Sequence, residues 1–210
     1  MNSRRTVVTA LGLGLPAAAL AAKSQVAEPG NPMLLQCERP AVGRHAKRFP
    51  QVLVQDQNGE KFWFYENLIQ DKLVLLSFAS INGEQQYPIV DNLLKVQEML
   101  GERLGDDVFM YTITTKPEID TAQGLKEFAD AKGARWKFIN GEPAAIRQIL
   151  AMFHVMGSIH GLAWVGNQRI GRWLTKPVRV QPIFIAEAVA MLSTGKHHKD
   201  RLLDMRSTMA

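Results

Sequence analysis

The pattern of apolar and polar residues along the chain predicts an α/β domain. Residues 73–78 form an almost unbroken apolar run, which indicates a strand buried on both faces. Residues 108–114 alternate in the manner of a second strand. Between these strands, the segment that begins after Pro88 repeats apolar residues at helical spacing, at Ile89, Leu93, Val96, Leu100 and Leu104. A helix with one apolar stripe between two strands is typical of a βαβ unit.

The other predicted elements lie on both sides of this unit. They are a hairpin of strands 51–55 and 61–65 with its turn at 56–59, helices at 121–132 and 141–153, a hairpin of strands 160–165 and 170–174 with its turn at 166–169, and a helix at 182–192. A further strand is expected between the helices at 121–132 and 141–153. This order predicts a thioredoxin-like α/β fold, with an N-terminal β-hairpin and a central mixed sheet flanked by helices.

The ends of the chain differ in character from the middle. Residues 23–48 are polar and rich in Pro and Gly, which predicts a linker, and residues 196–210 form a basic tail whose His pair lacks a third metal ligand. The segment 49–195 is then one domain, and an apolar content of 46% suits a real core. The net charge of +5 is spread along the chain without a basic stripe, which argues against nucleic-acid binding.

Residues 1–22 predict an export signal. Arg4 and Arg5 precede a weakly apolar stretch, as in a twin-arginine signal, and the small residues around Ala21 offer a cleavage site. An ordinary secretory signal and a mitochondrial presequence stay open as alternatives. The stretch is too short and too rich in Gly and Ala for a membrane span. We therefore expect a periplasmic protein without a stable span after cleavage, with an uncleaved signal anchor as the alternative.

The loop between strand 73–78 and the following helix is the place where thioredoxin-like proteins carry a pair of cysteines. A helix N-terminus there stabilises a thiolate or its metal complex. This loop, residues 79–88, contains no cysteine, which excludes dithiol exchange and peroxidase chemistry at this position. The carboxylate of Glu84 in this loop is expected to cap the N-terminus of the following helix.

The single cysteine, Cys37, lies in the predicted linker. A lone thiol cannot form an internal disulfide. It is expected to be a thiol covered by the segment that precedes the domain, while an intermolecular disulfide and a soft metal ligand stay open as alternatives.

Four stretches of the sequence resemble the Sco/SenC family of copper-handling cytochrome oxidase assembly proteins. Residues 49–59 resemble the family's opening hairpin with its D-x-x-G turn, and residues 73–88 its V-L-x-F-x-x-x-x-C-x-x-x-C-P segment. Residues 114–121 resemble its S-x-D-P-x-x-D-T run, with Lys116 in place of the first Asp, and residues 136–143 its W-x-x-L-T-G region. The resemblance spans about residues 48–192 and supports the thioredoxin-like fold.

The same resemblance implies that the family's metal site is degenerate in this chain. Gly83 and Tyr87 stand at the two cysteine positions, and Ser158 stands at the position of the metal-binding His. Tyr87 is expected to fill the vacated space with its ring. His160 lies two residues after Ser158, so it would share a face of an extended strand and could replace the missing ligand.

The segment 152–156, followed by His160, holds the only cluster of soft ligands in the sequence. Met and His suit Cu(I), so Met156 and His160 are candidate metal ligands. The alternative is that Met152 and Met156, four residues apart, fill the core along a helix face and at its end. Trp164 and Trp173 in the second hairpin are expected to pack on the sheet, although an exposed pair would mark a partner surface.

These observations lead to one functional hypothesis and two alternatives. The hypothesis is an exported Sco/SenC-like protein without redox cysteines, which is not an enzyme, needs no cofactor, and assists metalloenzyme or respiratory-complex biogenesis by binding a protein partner. The first alternative is a copper chaperone with rebuilt His and Met ligands. The second is an enzyme with an unrecognised site on the same scaffold.

Overall fold

The structure, a computed structural model, describes residues 46–156, 160–179 and 181–194. The predicted export signal with Arg4 and Arg5, most of the linker with Cys37, and the basic tail lie outside the described residues. The division of the chain into signal, linker, domain and tail therefore stays a prediction.

One mixed sheet of seven strands organises the described residues, in the order β2-β1-β5-β4-β3-β6-β7. Its strands are β1 Leu53–Asp56, β2 Lys61–Trp63, β3 Leu73–Ala79, β4 Val108–Thr114, β5 Lys137–Asn140, β6 His160–Asn167 and β7 Arg172–Pro177. Strands β3, β4 and β5 are parallel, while the hairpins β1–β2 and β6–β7 join its two sides antiparallel. The predicted thioredoxin-like fold with a mixed central sheet is confirmed.

Five α-helices connect or flank these strands in the described residues. They are α1 Ile81–Glu84, α2 Ile89–Leu100, α3 Ala122–Lys132, α4 Pro143–Met152 and α5 Pro182–Ser193. Thr121 caps α3, because its hydroxyl accepts a hydrogen bond from the N–H of Gly124, and Gly133 ends the helix in the left-handed conformation. No helix within the described ranges is long and apolar enough to cross a membrane.

The alternating side chains of β3 divide the core into two layers. Leu73, Leu75 and Ala79 pack with α2, α3 and α5 on the side that we name the corner face. Val74, Leu76 and Phe78 pack with α4 and the π-helical turn Phe64–Ile69 on the side that we name the aromatic face. Every residue of β3 is buried, as predicted for a strand covered on both sides.

Several element boundaries differ from the prediction, among them the end of α2, which lies at Leu100 and leaves the predicted apolar position Leu104 outside the helix. Two of the differences have a clear structural cause. Strand β2 ends at Trp63, because the four apolar residues that follow within the π-helical turn are all buried on the aromatic face. The β6–β7 turn lies at residues 168–171 rather than 166–169. Gly166 remains inside β6, and Gly171 supplies the positive φ of 67° that the turn requires.

Candidate functional site at the corner between β3 and α2

The corner begins where β3 ends, at Ala79. Ser80 is buried and caps the single-turn helix α1, since its hydroxyl oxygen accepts a hydrogen bond of 3.1 Å from the N–H of Gly83. Gly83 lies within this turn. The first of the two positions that the Sco/SenC resemblance assigns to a cysteine therefore carries no side-chain donor.

Glu84 follows Gly83 and turns its carboxylate toward the start of α2. Its Oε1 accepts hydrogen bonds from the N–H groups of Val90, at 2.7 Å, and Asp91, at 3.1 Å. The predicted capping role of Glu84 is confirmed, and it matches the preference of a helix N-terminus for negative charge. Its other oxygen, Oε2, is buried and has no hydrogen-bond partner among the described residues.

Burial has the largest effect on the pKa of this carboxyl. Desolvation raises the pKa of Glu84, and the negative charge of Asp91 raises it further. The hydrogen bonds from the backbone of α2 act in the opposite direction, but they are the smaller effect. The corner thus holds a carboxyl with a raised pKa and one oxygen free to donate or accept.

Tyr87, which the Sco/SenC resemblance assigns to the second cysteine position, lies against β6. A Cβ built on Gly161 would overlap the Tyr87 hydroxyl and lie 3.0 Å from Cζ, so the ring packs directly on the backbone of this glycine. The guanidinium carbon of Arg179 lies 5.2 Å from the centroid of the ring, at cation–π distance. The Tyr87 ring is thus packed between Gly161 and Arg179, and its assignment to a vacated cysteine position stays a prediction.

The P-x-x-D-T run braces the corner from the side of β4. Asp120 is buried, accepts a hydrogen bond of 2.5 Å from the Thr114 hydroxyl, and also accepts one from the backbone N–H of Ile81 in α1. The side-chain amide of Asn140 at the end of β5 donates to the Asp120 carbonyl, at 2.5 Å. Burial raises the pKa of Asp120, although these bonds and the charge of Lys116 oppose it. Asp120 thus ties the ends of two strands to the corner helix, β4 and α1 through its carboxylate and β5 through its backbone carbonyl.

The remaining predicted site residues are only partly brought together. His160 pairs in register with Phe78, one residue before the end of β3, so its backbone lies beside the corner; the structure describes no more of it than the backbone. Ser158 lies outside the described residues. Of these two residues, the candidate ligand His160 thus lies beside the corner, while the family position assigned to Ser158 stays a prediction.

Met156 and Met152 lie in different environments in the structure. Helix α4 ends at Met152, and His154 beyond it has a positive φ of 54°, so Met156 is not on the helix. Met156 is 85% exposed, and its predicted alternative role as core filler is therefore wrong. Met152 is half-buried and packs on the aromatic face, as a core filler would.

The donors at the corner do not fit the copper site that the Sco/SenC resemblance implies. Gly83 offers no donor, Tyr87 offers a phenol, and Glu84 offers a carboxylate whose Oε1 is engaged by α2. Cu(I) prefers thiolate, thioether and imidazole ligands to such oxygens. In the part of the chain that the structure describes, no three His, Cys, Asp or Glu side chains are grouped to hold a metal ion.

Two residues of the corner were not predicted from the sequence. Arg179 lies more than ninety residues after Tyr87, and only the fold brings it to the ring. Gly161 carried a weak signal, because a glycine inside a predicted strand often marks a close approach of another group. Its position directly after His160 could have suggested that the approaching group belongs to the corner.

Comparison with known proteins agrees with this architecture. The family model described as SCO1/SenC matches residues 88–162, a segment that starts one residue after Tyr87. Yeast Sco1 with copper bound has 16% identity and a TM-score of 0.58, over 78% of this chain and 99% of that one. No curated protein matches the chain.

Two bacterial structures give similar values. A SCO1/SenC family lipoprotein from Bacillus anthracis has 17% identity and a TM-score of 0.57, over 69% of this chain and 94% of that one. BsSco, described as a member of the Sco family of cytochrome c oxidase assembly proteins with a disulfide switch, has 20% identity and a TM-score of 0.58, over 69% and 92%. At these identities the structures show the fold, and the family model adds the sequence evidence. The predicted resemblance to the SCO1/SenC family is thereby supported by a family model over residues 88–162 and by the shared fold.

Proposed function

We propose that this chain is an exported accessory factor for the assembly of a cytochrome oxidase or a related metalloenzyme, and that it acts by binding a protein rather than by thiol chemistry at the corner. The observation that carries the proposal is the packing of Tyr87 on Gly161. An aromatic ring occupies the place that the family resemblance assigns to a metal-binding thiolate, while the scaffold around it is kept.

The bracing of the corner supports this proposal. Asp120 still links β4 to α1, and Glu84 fixes the start of α2. These bonds hold the backbone of the corner in place although no cysteine pair needs it there. A preserved shape without its original donors suits recognition of a partner surface, since fold and chemistry are separable.

The second candidate function is copper delivery through rebuilt ligands. It is favoured by the register of β6, which places the backbone of His160 beside the corner, and by the exposure of Met156 four residues earlier. Imidazole and thioether donors suit Cu(I). The two candidates differ in whether the protein binds Cu(I) tightly.

Competition for Cu(I) with a colorimetric chelator separates the two candidates. The protein without its signal is compared with His160→Ala and with a variant that carries both Gly83→Cys and Tyr87→Cys. We expect weak binding by the first two and tight one-to-one binding by the double variant, because thiolates then return to a backbone of the family's shape. Tight binding by the unmodified protein that His160→Ala abolishes would instead establish copper delivery.

A genetic test addresses the accessory role itself. Deletion of the gene in its own host is expected to lower the activity of the assembled oxidase, measured as oxygen consumption with an artificial electron donor. The unmodified gene and the His160→Ala variant are expected to restore it equally. Restoration by the unmodified gene alone would contradict a role independent of metal, and unchanged oxidase activity after deletion would contradict the assembly role.

A further inference from the structure

An aromatic pocket lies on the aromatic face of the sheet, away from the corner. It has a volume of about 520 Å³. Its walls come from the start of the described chain, the end of α4 and the β6–β7 hairpin, and they comprise Arg48, Phe49, Met152, Phe153, Trp164, Gln168, Gly171 and Trp173. Cavities of this size that are walled by aromatic rings and a few polar groups are typical of sites for small molecules.

The rings of the pocket are held in place by neighbouring groups. The Trp173 ring lies flat on Gly166 of β6, since a Cβ there would come within 2.5 Å of the ring-fusion atoms Cδ2 and Cε2. The ring centroid of Phe153 lies 5.5 Å from that of Trp164 and 6.0 Å from that of Trp173, and the centroid of Phe49 lies 5.7 Å from that of Trp173. Such packing fixes rotamers before any ligand arrives.

The polar side chain in the wall is engaged within the protein. Gln168 accepts a hydrogen bond from the Trp173 indole N–H at 3.2 Å, and its own amide donates to the Tyr65 hydroxyl at 3.4 Å. Gln168 is buried, so it orients the indole instead of presenting both its groups to the cavity. The inner wall therefore offers mainly ring faces for contact.

The only charged side chain that lines the pocket is positive. Arg48 is exposed, contributes the guanidinium of the lining, and forms no ion pair with any described residue. No acidic side chain is among the lining residues. A guanidinium binds carboxylate, sulfonate or phosphate groups through paired hydrogen bonds, whereas an anionic wall would be needed to favour a cation.

We infer that this pocket is a binding site for a small planar aromatic molecule that carries one anionic group. The ring of the ligand lies in the cavity against the wall formed by Phe49, Phe153 and the two tryptophans, and its anionic group pairs with Arg48. The site lies on the face of the sheet opposite to Tyr87 and does not depend on the chemistry of the corner.

The test uses 2-naphthoate as the probe and 2-naphthylmethylammonium as the matched cation with the same ring. Binding is followed by the indole N–H resonances of the protein without its signal, whose tryptophans are Trp63, Trp136, Trp164 and Trp173. Trp136 is an internal control, because it is buried on the corner face and donates to Thr112. We expect naphthoate to shift the Trp164 and Trp173 resonances in a saturable way and to leave Trp136 unchanged.

Two variants test the charge and the shape of the site. Arg48→Gln is expected to weaken naphthoate binding about tenfold and to strengthen binding of the ammonium probe, because a like charge is removed, with Arg147→Gln on an exposed surface pair as the control. Gly166→Ala is expected to abolish saturable shifts by moving the Trp173 ring. Equal affinity for both probes, no effect of Arg48→Gln, or equal shifts at all four indoles would overturn the inference.

Discussion

Strand β6 carries two glycines, each covered by an aromatic ring, and the two sites have opposite consequences. Gly161 lies under Tyr87 on the corner face, where the ring stands at a position that the Sco/SenC resemblance assigns to a cysteine. Gly166 lies under Trp173 on the aromatic face, where the ring forms one wall of an open cavity. Packing of an aromatic ring on a glycine thus fills space at the corner, whereas on the aromatic face it forms the wall of a cavity.

The atoms in contact explain the difference between the two rings. Gly161 meets the hydroxyl end of a tyrosine on a loop, which can swing outward around its χ angles. Gly166 meets the middle of an indole whose backbone is paired with it in the hairpin, Gly166 opposite Trp173. The tryptophan is therefore held in place by the pairing of its strand, whereas the tyrosine is held by its contacts with Gly161 and Arg179.

The largest effect is expected for Gly166→Ala. The new methyl group has no space, because the ring-fusion atoms of Trp173 occupy it and the paired strand cannot move away. We expect the free energy of unfolding to fall by about 1–3 kcal/mol, the range for overpacking a core. Urea denaturation followed by far-UV circular dichroism measures it.

The control for this prediction removes the ring. In a Trp173→Leu background, Gly166→Ala is expected to cost less than half as much, because the overlapping atoms are gone. Equal costs in the two backgrounds would show that the contact between Gly166 and Trp173 does not determine the stability of this face.

A smaller effect is expected for Gly161→Ala. Displacement of the Tyr87 hydroxyl opposes folding, while replacement of glycine in a strand favours it by about 0.5–1 kcal/mol. The net loss in the free energy of unfolding is expected to be about 1 kcal/mol or less. Thermal and urea unfolding of the variant measure this difference.

Tyr87→Phe supplies the matched background for this prediction. It deletes the oxygen nearest to the new Cβ and keeps the ring. Gly161→Ala is then expected to become neutral or stabilising. A cost as large as that of Gly166→Ala, insensitive to Tyr87→Phe, would show that the tyrosine is held as rigidly as the tryptophan and would remove the contrast between the two faces.

The sequence predicted the fold better than the site for a physical reason. The apolar run of β3 and the stripe of α2 reflect burial, which acts on every residue of an element and leaves a periodic pattern. The contact of Arg179 with Tyr87 involves one side chain from each of two distant loops and leaves no such pattern. The capping by Glu84 was predictable because its partners follow within seven residues.

Two errors of the sequence-based prediction, the position of the β6–β7 turn and the helical position of Met156, have the same origin. Gly166 reads as a turn residue, yet it stays in the strand because Trp173 needs a position without a Cβ beneath it. Met156 reads as the next helical position after Met152, yet the positive φ of His154 ends the segment first. In each case a single tertiary contact or backbone conformation overrides the local pattern.

The smallest effect concerns the pH dependence of the corner. The pKa of Glu84 in the folded state lies above its ordinary value of 4.5, so the folded protein binds this proton more tightly than the unfolded chain. The stability that Glu84 contributes is then complete below pH 4.5 and is lost as the pH rises through the folded pKa, by at most about 1.4 kcal/mol per pH unit. Glu84→Gln keeps an oxygen for the N–H groups of Val90 and Asp91 but cannot titrate.

Urea unfolding of both proteins between pH 4.5 and about pH 7 tests this sign, starting at the ordinary value of the carboxyl. The variant is expected to gain stability relative to the unmodified protein as the pH rises. The raised pKa of Asp120 has the same sign but is present in both proteins, so it cancels in the difference. Glu98→Gln, on the exposed side of α2, reports the general effect of removing one negative charge. A stability difference that does not change with pH would mean that Glu84 caps α2 without a shifted pKa in the folded state.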